Sequence, residues 1–285
     1  MKIINVESVM LSYVYPKEKR WVWPAATVYG TNACLAKVST DEGLTGIGEI
    51  AAQTTVPEIM SSIVKKFREI IVNENPLDIE KIWQKMYAAS FPWGHKGIIT
   101  TVIGGIEIAL WDILGKAKEM PVYSLLGGAV SSKVKVYASA GMEKPLKELA
   151  KELKEFVQEG YTAIKIRIGY PSLRKNYEIA KTAREAVGEE IDLMLDAGQG
   201  YVPNPWTVSE AVRMAKMLEE LHPFWLEGPC SEEDIEACIA ITNATDIPIA
   251  GGENLRTRSE FKEIIEKGAL NIIQPDVTIA GGISE

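Results

Sequence analysis

The sequence predicts an α/β protein. An N-terminal part of strands and helices is followed by a parallel sheet with crossover helices, wound as a (β/α) barrel of the TIM type. Three observations predict it. From Val134 onward, short apolar runs alternate with amphipathic stretches, the signature of parallel strands joined by helices. The repeat is roughly 30 residues, one strand–helix unit of a barrel of about 250 residues. Successive runs also end in charged residues, which is where barrels of this class build their active sites. The change of pattern divides the chain into an α+β domain at 1–130 and a barrel domain at 131–285.

Each element follows from its local pattern. Lys2 to Val14 is rich in Ile and Val, Asn32 to Thr40 is a second strand, and Asp41-Glu42-Gly43 turns the chain into a third at Leu44 to Ile50. Three helices follow. The third, Ile98 to Lys118, carries Ile106, Ala109, Leu110, Ile113 and Leu114 at helical spacing, with Pro121 just beyond its end. In the second part the strand runs are Val134–Ala140, Ala163–Ile168, Ile191–Leu195, Pro223–Leu226, Ile247–Ala250 and Leu270–Gln274. Helices are expected between them, among them Leu146–Glu159, Leu173–Val187 and Val208–Leu221. A doubly wound open sheet is the alternative, but no G-x-G-x-x-G follows the first strand, so dinucleotide binding gains no support. Only about six units precede Glu285, whereas a closed barrel needs eight. The expectation is therefore a barrel truncated after about six strands, its edges left open or completed by another chain.

Composition narrows the function. The 285 residues are 46% hydrophobic and 25% charged, with a formal net charge of -8, which suits a globular protein with a sizeable core. No basic stripe appears, so nucleic acid is not an expected partner. No apolar run is read as approaching membrane-span length, and no charged-then-apolar leader is seen. Cys34, Cys230 and Cys238 are read as reduced, packed thiols of a cytoplasmic protein.

The strand ends carry the chemistry. The second run ends in Lys165-Ile166-Arg167, the third in Asp196, the fourth in Trp225-Leu226-Glu227, the fifth in Gly251-Gly252-Glu253 and the sixth in Gln274-Pro275-Asp276. One acid after a strand is ordinarily a helix cap or a solvated loop residue. The same feature on consecutive strands of one barrel points to a site. Converging carboxylates repel one another in a partly desolvated mouth, and a divalent cation resolves that repulsion. Oxygen-only ligands favour Mg²⁺ over Zn²⁺, and no Cys or His stands at these strand ends. Lys165 and Arg167, two apart on one strand, point to the same side. There they require carboxylates or an anionic substrate to balance them.

Asp196, Trp225-Leu226-Glu227-Gly228-Pro229, Gly251-Gly252-Glu253-Asn254 and Pro275-Asp276 with Gly281-Gly282-Ile283-Ser284-Glu285 resemble the enolase superfamily, mandelate racemase subgroup. So does Ala109-Leu110-Trp111-Asp112-Ile113-Leu114-Gly115-Lys116, followed by Pro121 and Leu125-Leu126-Gly127-Gly128. The resemblance implies a capping domain over a modified barrel and Mg²⁺ ligated by Asp196, Glu227 and Glu253. It also implies a carboxylate substrate that loses its α-proton to give an enediolate. Lys165 is implied as a second positive group. Trp21 and Trp23, in the loop from Tyr15 to Pro24, together with Asn254 and the segment after Glu49, are the implied substrate contacts. Packing between the domains is the other reading of the tryptophans.

Some positions depart from the family pattern. Gly228 and Gly198 stand where members carry polar groups. Arg167 occupies the place of a base-forming lysine in racemases, and an arginine does not deprotonate. That favours dehydration of a sugar acid to a 2-keto-3-deoxy acid over racemisation or epimerisation of a hydroxy acid. The subgroup's histidine base belongs to a seventh strand, which leaves Asp276 as its expected orienting partner. His95 and His222 are misplaced for that role. A homo-oligomer is expected, and a truncated, non-catalytic Mg²⁺-binding protein is the third possibility.

Overall fold

The computed structural model describes residues 1–51 and 57–285. The N-terminal part opens with β1 (Ile3–Val14). A small hairpin of β2 (Trp21–Trp23) and β3 (Ala26–Val28) follows, then β4 (Gly30–Thr40) and β5 (Thr45–Ile50). Strands β1, β4 and β5 form one antiparallel sheet in that order. Cys34, Ala36 and Val38 alternate along β4 and face the core, as a sheet with one covered face requires. Helices α1 (Pro57–Ile71), α2 (Ile79–Ser90) and α3 (Ile98–Ala117) cover that face, and the short α4 (Val122–Leu125) closes this part.

Helix α3 is the spine of the N-terminal part. Its residues Val102, Ile103, Ile106, Ala109, Leu110 and Ile113 are fully buried. It is long and apolar enough, by length and composition, to cross a membrane, which corrects the expectation that no run approaches that length. Its burial within this core gives the apolar stretch a structural purpose. The helix lies directly against β5, because a Cβ at Gly48 would come within 2.0 Å of the Gly105 carbonyl oxygen. No side chain fits between the two backbones there.

The second part alternates strand and helix: β6 (Ala138–Ser139), α5 (Leu146–Gln158), β7 (Ala163–Arg167), α6 (Leu173–Val187), β8 (Asp192–Asp196), α7 (Val208–Leu218), β9 (Trp225–Glu227), α8 (Ile235–Thr242), β10 (Ile249–Gly251), α9 (Thr257–Lys267), β11 (Ile272–Ile273) and α10 (Val277–Ala280). The strands form one six-stranded parallel sheet in the order β11-β10-β9-β8-β7-β6. This is the predicted barrel-type architecture over the predicted number of strands. Ile164, Ile166, Leu193, Leu195, Leu226 and Ile249 bury against the helices. The start of α7 carries a capping box between Thr207 and Glu210, which satisfies helix donors that would otherwise be unpaired.

Two of the predicted strands pair over only two residues each. Of Val134–Ala140 only Ala138–Ser139 pairs, and of Leu270–Gln274 only Ile272–Ile273. Both stand at the ends of the strand order, with one neighbour each among the described residues. Half of their ladder partners are thus lacking, and Val134 and Val136 remain exposed. The helix expected over Val208–Leu221 ends at Leu218. Its last turn is a 3₁₀ helix, Glu219–Leu221, as is common at helix ends.

The two parts meet at the segment after α10. Glu107 of α3 is fully buried. It accepts hydrogen bonds from Trp111 Nε1 (2.7 Å), Ile283 N (2.8 Å), Ser284 N (2.9 Å) and Ser284 Oγ (2.6 Å). Trp83 Nε1 donates to the Gly281 carbonyl at 2.7 Å. Gly282 has φ +104°, and a Cβ there would come within 2.3 Å of Glu107 Oε2, so only glycine serves. Glu107→Ala leaves several buried donors without an acceptor. It is expected to destabilise the chain by ~3 kcal/mol or more, measured by chemical denaturation. A loss below about 0.5 kcal/mol, the usual scatter of an indifferent surface change, would refute the role.

Candidate active site

Parallel register builds the site. Arg167 at the end of β7 lies opposite Asp196 at the end of β8, and Asp196 lies opposite Glu227 at the end of β9. Three charged residues thus form one row across the C-terminal edge of the sheet. Lys165, two residues before Arg167, projects to the same side. Its Nζ is 2.7 Å from Glu227 Oε1 and 3.3 Å from Asp196 Oδ2. Arg167 pairs with Asp196 through Nη1. The side chains of Asp196, Glu227 and Lys165 are 3%, 5% and 9% exposed, against 23% for Arg167. Arg167 therefore forms the outer wall, and the other three lie beneath it.

Burial and charge shift these groups in opposite directions. Burial, aided by the neighbouring Glu227 charge, pushes the Asp196 carboxyl up from 3.8 to about 6 against the pull of Arg167 and Lys165. Burial also opposes the Glu227 charge, but Lys165 outweighs it and holds that carboxyl below its ordinary value. Lys165 is desolvated too, yet the two carboxylates keep its ammonium above its usual range. Two cations and two anions out of water are costly unless well paired. Here the pairing is close.

The third expected ligand stands apart. Ala250 of β10 is the partner of Glu227, so Glu253, three residues further on, lies in the loop beyond the strand end. Its Oε1 accepts a hydrogen bond from Tyr201 OH at 2.6 Å. Among the described residues, no three His, Cys, Asp or Glu side chains stand together as a ready ligand cluster. The structure therefore brings Asp196 and Glu227 together and places Glu253 at the rim.

The remaining predicted site residues divide. Trp23 lies at the mouth, its ring 5.7 Å from the Arg167 guanidinium carbon and 5.5 Å from the Tyr201 ring. Trp21 shares the hairpin. That hairpin is tied to the second part where Glu143 N donates to Val22 O at 2.9 Å. Asn254 Nδ2 donates to Tyr201 OH. Asp276 stands just beyond the end of β11. It is exposed and caps α10, accepting from Thr278 N (2.8 Å) and Thr278 Oγ1 (2.7 Å). One of its carboxylate oxygens, Oδ1, thus serves as a helix cap. Of the segment after Glu49, residues 52–56 lie outside the described residues.

Several neighbours of the row were not foreseen. Trp225 Nε1 donates to Glu227 Oε2 at 3.0 Å. The Tyr137 ring lies 5.6 Å from Lys165 Nζ. The Gln274 side chain lies beside Glu227, and its Oε1 is buried without a partner among the described residues. Gln274 ends the sixth apolar run, so the strand-end rule that selected Asp276 also pointed to it.

Comparison with known proteins agrees with this architecture. Residues 10–127 match the mandelate racemase / muconate lactonizing enzyme N-terminal domain, and residues 148–285 match the enolase C-terminal domain-like family. The chain belongs to the enolase superfamily, in its mandelate racemase group. It is 36% identical over 252 residues to the arabinonate dehydratase of Saccharolobus solfataricus, covering 87% of this chain and 66% of that protein. A solved member of the enolase superfamily from Polaromonas sp. JS666 superposes with a TM-score of 0.91 at 32% identity, covering all of this chain and 74% of the other. A racemase from Streptomyces coelicolor A3(2) with bound magnesium superposes with a TM-score of 0.92 at 29% identity, covering 99% of this chain and 78% of the other. The chain spans about two thirds of the length of the curated relatives it matches.

The Asp196 carboxyl makes metal-free stability depend on pH. Its folded value is raised above the unfolded one, so the folded chain binds the extra proton between pH 3.8 and about 6. The stability this group contributes is full below that window and falls as pH rises through it. Asp196→Asn cannot titrate and is expected to flatten the profile there. Urea unfolding of EDTA-treated protein from pH 4 to pH 7 checks this, and parallel wild-type and mutant profiles would contradict it.

Proposed function

We propose that this chain carries out Mg²⁺-dependent proton abstraction next to a carboxylate, and that its reaction dehydrates a sugar acid to a 2-keto-3-deoxy acid. The observation that carries the reading is the single row of Arg167, Asp196 and Glu227 with Lys165 beneath it. Such a row offers carboxylates to a cation and cations to an anionic substrate at one place.

The residues fit a divalent ion. The donors are oxygens only, two at the ends of adjacent strands and one in the loop beyond β10, which suits Mg²⁺. The charge penalty that burial and the neighbouring Glu227 place on Asp196, and the unpartnered Gln274 Oε1 beside Glu227, are both features a bound cation would relieve. Asp196, Glu227 and Glu253 would hold it. Once bound, the ion would offset the charge that builds on the substrate carboxylate as the α-proton leaves.

The protein's own side chains supply the rest. Arg167, a permanent cation at the rim, is placed to bind the substrate carboxylate as a planar clamp. Lys165, kept as an ammonium by its neighbours, adds positive charge beside the substrate carboxylate; the α-proton passes to the histidine base that the family resemblance assigns to a seventh strand, and that same group returns it to the departing hydroxyl, which leaves as water. Trp23 covers Arg167 from the N-terminal hairpin and reduces water access, so the electrostatic effects inside strengthen. An arginine in place of a second base favours a reaction that needs one acid/base group. The match to an arabinonate dehydratase supports the same choice of substrate class.

The test is turnover over a panel of aldonates and aldarates with keto-acid detection. Mg²⁺-dependent product is expected from at least one of them, abolished by EDTA and restored by Mg²⁺. Asp196→Asn and Glu227→Gln should each lower kcat/KM by about a hundredfold or more. Product formation that persists in EDTA would refute the metal reading. The similarity to a magnesium-bound racemase supports a second reading. Exchange of the α-proton for deuterium without keto acid would establish that reading, and Mg²⁺ binding with silence in both assays would mark a non-catalytic chain.

A further inference from the structure

Glu253 is the proposed ligand that the sheet does not position. It lies beyond the end of β10, and two side chains from other loops hold it. Glu232, in the loop after β9, is aimed at the main chain beside it. Glu232 Oε1 accepts from Gly252 N, next to Glu253, at 2.5 Å. The approach is close, because a Cβ at Gly251 would stand 3.1 Å from Glu232 Oε1. Tyr201, in the loop after β8, is aimed at the side chain. Its hydroxyl donates to Glu253 Oε1 and accepts from Asn254 Nδ2. The Tyr201 loop is itself fixed, since Gln199 N donates to Gly228 O at 2.8 Å and Tyr201 N to Gly198 O at 3.1 Å. The Trp23 ring packs edge-on against Tyr201.

We propose that Tyr201 and Glu232 are positioning residues for Glu253: Glu232 fixes the backbone of its loop, and Tyr201 holds one carboxylate oxygen so that the other faces a divalent cation. Oε2 of Glu253 has no hydrogen bond among the described residues, so one oxygen is committed and one remains available. A ligand so held loses less rotamer freedom on binding metal, and partners of this kind are worth about 10–100-fold in metal affinity. Tyr201 also links the site to the N-terminal hairpin, because the ring that touches it, Trp23, also covers Arg167. The inference rests on the metal reading given under Proposed function.

Calorimetric titration of the full chain with Mg²⁺ tests it, alongside Tyr201→Phe and Glu232→Gln. Tyr201→Phe keeps the ring and removes one hydroxyl. It is expected to weaken Mg²⁺ binding about tenfold or more while leaving the metal-free melting temperature within ~2 °C of wild type. A residue with a merely structural role would move the melting temperature and leave the affinity alone. Glu232→Gln should weaken binding in the same direction. If it unfolds, Tyr201→Phe decides alone. Wild-type binding matched by Tyr201→Phe overturns this inference and leaves the metal reading intact. No Mg²⁺ binding by the wild-type chain overturns the metal reading and this inference with it.

Discussion

The site depends on the register of three parallel strands. Because β7, β8 and β9 run side by side with Arg167, Asp196 and Glu227 at matching positions, four charges meet in a space with little water. A shift of one residue in any of these strands would turn its charged end into the helix layer. The apolar residues Ile164, Ile166, Leu193, Leu195 and Leu226 prevent that slip, because they must face the opposite way. Hydrophobic packing on one side of the sheet therefore sets electrostatics at its edge. The cost of gathering the charges is met by their mutual pairing, and that pairing leaves Asp196 as the group most strained by its surroundings.

Among the contacts that join the N-terminal part to this arrangement, two differ in character. One is rigid and buried: Glu107 and Trp83 grip the backbone of the segment around Gly281 to Ser284. The other is lighter and lies at the mouth, where the Val22 carbonyl meets Glu143 and Trp23 meets Arg167 and Tyr201. The first joint buries a carboxylate with its donors, whereas the second consists of one main-chain hydrogen bond and ring contacts.

The fold and two of the three ligands of the proposed cage were legible in the sequence for physical reasons. Strand–helix alternation is a strong signal, and the residue that ends a parallel strand has its place fixed by the ladder, so Asp196, Glu227, Lys165 and Arg167 could be picked out. Glu253 obeyed the same rule less well, because β10 ends at Gly251 and the loop beyond has its own geometry. Asp276 was picked out by the same rule, and its Oδ1 also caps α10 through Thr278. Tyr201 and Glu232 carried no periodic signal. They act from loops, and only the folded chain brings them to Glu253. Apolar pattern also overstated β6 and β11, because pairing needs partners that composition does not reveal.

The central claim is that Asp196, Glu227 and Glu253 enclose one divalent ion at the ends of β8, β9 and β10. Crystals grown with Mn²⁺ in place of Mg²⁺ address it most directly, since Mn²⁺ takes the same oxygen ligands and can be located by its anomalous scattering. The account predicts one strong peak about 2.0–2.3 Å from oxygens of all three carboxylates, with Lys165 Nζ drawn away from Glu227. An empty row with the Lys165 and Arg167 ion pairs intact, at Mn²⁺ concentrations well above the millimolar range, would contradict it.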